Sequence, residues 1–175
     1  MAERSGSTLR RGAGIALAVV VALALLAACD HPRTIVTSGG SGSAPPNGTE
    51  QQIIGEINGF RAAHGLGALS VQPVLEDKAH LWSKWMAGGG CGPGAGGLPA
   101  VCHASLTAEI TVHWSVLEEN VGAATPKTAV AALESGFEHS AEHAANMLNS
   151  RITGVGVGVA YTGNAIYVAE EFMAP

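Results

Sequence analysis

The sequence predicts an α+β domain, reached through an apolar leader and a flexible tether, and three observations predict it. Four separate stretches between Glu50 and Leu148 repeat apolar side chains three or four residues apart, the helical period. From Val155 to Phe172 the period switches to two around a Thr162-Gly163-Asn164 turn, which reads as a C-terminal β-hairpin. Helices and strands in separate blocks, rather than in alternation, argue against a wound parallel sheet.

The leader comes first. Arg4, Arg10 and Arg11 form a positive segment, and the run from Ala13 to Ala28 carries no charge. That run is shorter than the ~20 residues a membrane-spanning helix needs, and it suits the core of a signal peptide. It ends in Leu26-Ala27-Ala28-Cys29, small residues before a cysteine, the pattern of a bacterial lipoprotein boundary. Residues 1–28 are therefore expected to be removed, with Cys29 carrying the lipid. The protein is then expected outside the cytoplasm, as a cell-envelope lipoprotein held to the membrane by its acyl chains. Residues 29–49, with Ser38-Gly39-Gly40-Ser41-Gly42-Ser43 and Pro45-Pro46, read as a flexible tether. Residues 50–175 make one domain.

The formal net charge is −5 for the whole chain. The leader holds three arginines and one glutamate, so the remainder is near −7. Its six Lys and Arg are scattered singly, which excludes a nucleic-acid face.

Within the domain, Ile53, Ile54, Ile57, Phe60 and Arg61 predict a first helix ended by Gly65 or Gly67. Leu75, Ala79, Trp82 and Met86 predict a second from about Gln72 to Met86. Gly88 to Gly97 holds seven glycines and a proline and reads as loop. Further helices are predicted over Pro126–Glu138 and Ser140–Leu148. Cys91 and Cys102 flank the end of the glycine-rich loop, and outside the cytoplasm they most simply pair. Such a bridge closes about 12 residues, worth roughly 2–3 kcal/mol on the loop-entropy account, and pins His103 beside it. The alternative, a metal site using both thiolates, has no CxxC spacing behind it.

The polar candidates lie in the second half: His103, Glu119, His139 and His143. On one helix, His139 and His143 would share a face. His139-Ser140-Ala141-Glu142-His143 also fits H-x-x-E-H, the inverted zinc-peptidase signature, a weak match of three fixed positions.

Taken in order, several segments resemble the CAP superfamily of cysteine-rich secretory proteins, antigen 5 and plant pathogenesis-related proteins. Asn58, Arg61 and Gly65 match an N-x-x-R-x-x-x-G opening, and Leu69, Leu75 and Ala79 continue it. His103 precedes Ala104-Ser105, and Glu119-Asn120-Val121-Gly122 is similar to the family's G-E-N motif. Ser140 to Leu148 is similar to S-x-x-H-x-x-N-[IM]-L, and Gly156-Val157-Gly158-Val159 to the last strands.

The resemblance implies an α-β-α sandwich with a cleft lined by two histidines and two acids. It assigns His103, Glu119 and His143 to that cleft. The position of the second acid falls at Ser140, with Glu138 or Glu142 as substitutes. Glu118 stands where the family has glycine, and Phe137 where it usually has tryptophan. Two imidazoles and a carboxylate would hold zinc or another divalent cation with open positions; without metal they would form a hydrogen-bonded cluster.

Three functions are compatible with this reading. The first is a binding module for a lipid or hydrophobic ligand, with or without the cation. The others are a metal-assisted hydrolase or peptidase, and an interaction domain with no small-molecule site.

Overall fold

The computed structural model describes residues 46–175. The expected leader, Cys29 and nearly all of the tether lie outside these residues.

The first helix, α1 (Gly48–Ala63), starts two residues ahead of the expected Glu50 because its cap lies further upstream. The Asn47 side chain accepts from the Thr49 and Glu50 amides, and Glu50 Oε2 accepts from the Asn47 amide at 2.7 Å. This reciprocal box satisfies N–H groups that every helix start leaves open. Gly65, at φ +75°, follows the helix end, where a left-handed residue lets the chain turn away. The second helix, α2 (Pro73–Ala87), begins on Pro73 and buries Leu75, Ala79, Trp82 and Met86, as their spacing predicts.

Two strands lie where periodicity gives little signal. β1 (Ser70–Val71) is a two-residue strand, and β2 (Val116–Ala124) runs through Glu118-Glu119-Asn120, residues of low strand propensity. β2 forms because it pairs along its whole length with β4. The third helix, α3 (Val130–Glu138), starts four residues later than the expected Pro126, after a turn closed by the Ala129 amide on the Pro126 carbonyl. α4 (Ala141–Met147) follows after a break at His139-Ser140. The chain closes on the expected hairpin, β3 (Gly154–Thr162) and β4 (Ala165–Ala174), with Gly163 left-handed in the turn.

The sheet order is β1-β3-β4-β2, with β1 parallel to β3 and the other pairs antiparallel. The period-two stretch of β3 decides how the layers pack. Val155, Val157 and Val159 point to one side and join Ile53, Ile57, Phe137 and Met147 in a core with α1, α3 and α4. Gly156 and Gly158 point to the other side, where α2 lies directly on the strand. A Cβ on Gly158 would sit 2.1 Å from the Ala79 carbonyl carbon, and one on Gly156 2.2 Å from that of Leu75. The result is the α-β-α sandwich expected from the resemblance.

The glycine-rich loop closes over the α2 side. Cys91 and Cys102 form a disulfide. The Trp82 indole donates to the Cys102 carbonyl at 2.7 Å and the Tyr167 hydroxyl to the Pro99 carbonyl at 2.8 Å, so the C-terminal end of the loop is tied to the layers beneath. Among the described residues no helix is long and apolar enough to cross a membrane.

Candidate functional site

Strand pairing sets the site. Glu119 of β2 lies opposite Glu171 of β4, and Asn120 opposite Glu170. Side chains alternate along a strand, so the first pair faces α2 and the second faces α3 and α4.

On the α2 side Glu119 is almost wholly buried beneath His103, whose side chain is half exposed. His103 Nδ1 donates to Glu119 Oε1 at 2.8 Å, and the Ala104 amide donates to the same oxygen at 2.9 Å. Lys78 of α2 places Nζ 2.5 Å from Glu171 Oε2 and 3.9 Å from Glu119 Oε2. Burial alone would raise the Glu119 carboxyl. Hydrogen bonds from His103 and Glu171, the Lys78 charge and the Ala104 amide together hold it below the usual carboxylate range. The hydrogen bond to Glu119 in turn raises His103. Glu171 goes the other way: burial first, then the neighbouring Glu119 charge, push it well above its ordinary value.

His143 arrives from the opposite layer, on α4. Its Nδ1 lies 2.8 Å from Ser140 Oγ, and its ring packs on Phe137 with centroids 4.7 Å apart. Burial, followed by the charge of His103, lowers its pKa. Asn120 fixes the helix that carries it: its Nδ2 donates to the His143 carbonyl at 3.3 Å, and its Oδ1 accepts from Asn146 Nδ2 at 2.9 Å. Asn146 also donates to the Glu119 carbonyl, binding α4 to β2. The far end of α4 rests on Arg61, a buried guanidinium that donates to the carbonyls of Met147 and Asn149.

The expected residues therefore divide. His103 and Glu119 are in direct contact, and His143 is near enough to feel the charge of His103. Of the three positions considered for a second acid, Ser140 bonds His143. Glu142 is exposed and bears electrostatically on both histidines. Glu138 instead bears electrostatically on Glu134. His139 caps the end of α3 and bonds the Ser135 carbonyl at 2.7 Å, so His139 and His143 sit on different helices. This breaks the H-x-x-E-H reading, which needs both histidines on one helical face. Glu118 accepts from Asn149 Nδ2 at 2.8 Å, away from His103.

Motif spacing does not reveal Lys78, Glu171 or the Asn120–Asn146 bridge. Recognising 116–124 as a strand would have shown that Glu119 and Asn120 point to opposite layers.

A divalent cation fits this arrangement only in part. The oxygens of Glu119 are already engaged by His103, Ala104, Lys78 and Glu171. Among the described residues no three His, Cys, Asp or Glu side chains are arranged to hold an ion. What fits is a pair of imidazoles, each with Nδ1 fixed by a protein oxygen, Glu119 Oε1 for His103 and Ser140 Oγ for His143. A carboxylate behind a ligating histidine is the usual orienting partner.

Comparison with known proteins gives a consistent picture. No curated protein sequence matches the chain. Among solved structures, an extracellular protein from Bacillus anthracis that contains an SCP domain is 28% identical, with a TM-score of 0.58. The match covers 77% of this chain and 45% of that protein, so the chain spans less than half the length of that relative. An outer surface protein of Borrelia burgdorferi shares the fold at 14% identity and a TM-score of 0.59, over 73% of this chain and 93% of that one. The protein NaASP2, solved with Zn2+, does so at 14% identity and a TM-score of 0.53, covering 78% and 83%. The profile of the CAP, or cysteine-rich secretory protein, family matches residues 54–173, and the chain belongs to that family.

Proposed function

We propose that the domain is an extracytoplasmic binding module, anchored through a lipid on Cys29. In this reading a divalent cation is held between His103 and His143, and a hydrophobic or lipid ligand lies beside it. The observation that carries it is the pair of imidazoles with Nδ1 engaged, by Glu119 and by Ser140, and Nε2 uncommitted. Two nitrogen ligands would leave the remaining positions of a zinc-like ion to water or to oxygens of the ligand. Leu106, Trp114, Val116 and Leu117, near His103 and Glu119 in sequence, line together with Glu118 an open depression of about 320 Å³, which supplies apolar surface. That the structural relatives include an extracellular protein, an outer surface protein and one solved with Zn2+ supports the location and the cation. A hydrolase reading is weaker, because Glu119 is buried and already bonded and is not free to activate water.

Titration calorimetry with zinc tests the cation site. His103→Ala and His143→Ala should each weaken binding tenfold or more, whereas His139→Ala should leave it unchanged. Absence of zinc binding by the wild type at neutral pH would remove the cation from the proposal. Mass spectrometry of the membrane-bound protein should show an acylated N-terminal Cys29, and an intact leader would remove the anchor.

A further inference from the structure

Six glutamates are buried among the described residues, against two cations, Arg61 and Lys78. Arg61 bonds backbone carbonyls, Lys78 serves Glu119 and Glu171, and the partly exposed His80 pairs with Glu50 at 2.9 Å, which leaves Glu134 and Glu170 with no cation beside them. The sharpest case lies on the far side of the sheet from Lys78. Glu134 of α3 is 3% exposed and Glu170 of β4 is 0% exposed. Their carboxyls are in hydrogen-bond contact. Glu170 Oε2 accepts from Asn120 Nδ2 at 2.9 Å. The Oε1 atoms of Glu134 and Glu170 are buried with no N–H or O–H donor. The charged groups bearing on the pair are Glu56 of α1 and Glu138 of α3, both acidic, and β2 presents only the neutral Asn120.

Two adjacent carboxylates in an apolar core repel each other and each loses its hydration. One proton between them removes a charge and turns two orphaned acceptors into a hydrogen bond. We propose that Glu134 and Glu170 keep a shared proton in the folded core at neutral pH, so that the pair's contribution to stability grows as its surroundings acidify. This inference is independent of the cation site, because neither carboxyl touches His103 or His143.

The titration behaviour agrees in direction. Burial first, then the neighbouring Glu170, push Glu134 up to about 12, and burial pushes Glu170 up to about 7. Both folded values lie above those of the unfolded chain. The contribution is therefore fully present below the unfolded pKa of about 4.3 and is lost as pH rises through the folded values, with Glu170 first. Most buried carboxylates that make salt bridges act in the opposite sense.

Urea unfolding of the full chain tests this when wild type and Glu134→Gln are compared between about pH 5 and about pH 8. An amide at 134 donates to Glu170 without needing a proton. The variant's midpoint should therefore exceed that of wild type by at least ~0.5 M at the upper pH, with the gap closing toward the lower one. A gap that is constant across the range, or that widens toward acid, overturns the proposal. If Glu134→Gln does not fold, infrared spectroscopy decides. Wild type should keep a protonated-carboxyl band near pH 8 that loses intensity in Glu170→Gln, and an unchanged band in that variant overturns it.

Discussion

The two faces of the sheet carry the same motif, a β4 glutamate set against a second acid, and treat it differently. On the α2 face Glu171 meets Glu119, and Lys78 and His103 are close enough to balance them. On the other face Glu170 meets Glu134 with Asn120 as the only polar partner from β2. A neighbouring cation lets Glu119 stay ionised and hold an exposed imidazole. Without one, in the proposed reading, the pair keeps one shared proton and carries a single negative charge instead of two. Adjacent residues of one strand thus take opposite electrostatic roles, and what decides between them is the helix that packs above. The faces also differ in packing: valines meet α1, α3 and α4, whereas glycines admit the backbone of α2.

The packing contrast yields the largest expected effect. Gly158→Val should cost more than ~3 kcal/mol, because the new side chain meets the Ala79 backbone rather than a movable side chain. Val157→Ala, one residue away on the opposite face, should cost about 2 kcal/mol through the cavity it leaves. Chemical denaturation of the two variants measures the difference, and equal losses would mean that α2 can move away.

A smaller effect should come from the charge contrast. Lys78→Met removes the buried cation on one face only. Breaking a buried pair typically costs ~3–5 kcal/mol, and uptake of a proton by the coupled Glu119–Glu171 pair should reduce that to roughly 2–3 at neutral pH. The loss should shrink as the pH falls toward 5, since further protonation of that pair removes the charge the cation balances. A pH-independent loss would show that Lys78 contributes only by packing.

The gentlest probe compares the two histidines in metal-free protein by NMR titration. His103 should titrate above the ordinary value of about 6.5 and His143 below it. Because the folded value of His103 is raised, its pairing with Glu119 adds stability below the unfolded pKa and loses it as pH rises through the folded one. Glu119→Gln should return His103 toward the ordinary value, and no movement would mean that the contact is absent in solution.

Much of this was legible early, though unevenly. The buried stripe of α2 and the alternation of β3 and β4 are periodic signals, and both elements lie where the period puts them. The disulfide followed from compartment and loop composition. β2 was not legible as a strand because its centre is polar, and it is held by nine paired positions on β4 rather than by its own propensity. The break between α3 and α4 was foreseen as a boundary between two helices, but its consequence for His139 was not. A turn there rotates His143 away from its sequence neighbour, and spacing read along a single helix cannot register that.

By itself, then, the sequence determined the order of the elements, the valine and glycine faces of β3, and the identity of His103, Glu119 and His143 as site candidates. These depend on local period, on chain breaks and on short motifs, all of which are written within a few residues. Tertiary structure alone decided that Lys78 and Glu171 stand behind Glu119. Lys78 is 41 residues from Glu119 in sequence and Glu171 is 52, and only sheet register and the docking of α2 bring them together. It also decided which buried acids are charged. Ionisation in a core depends on solvation and on the nearest counter-charge, and both are properties of the assembled layers.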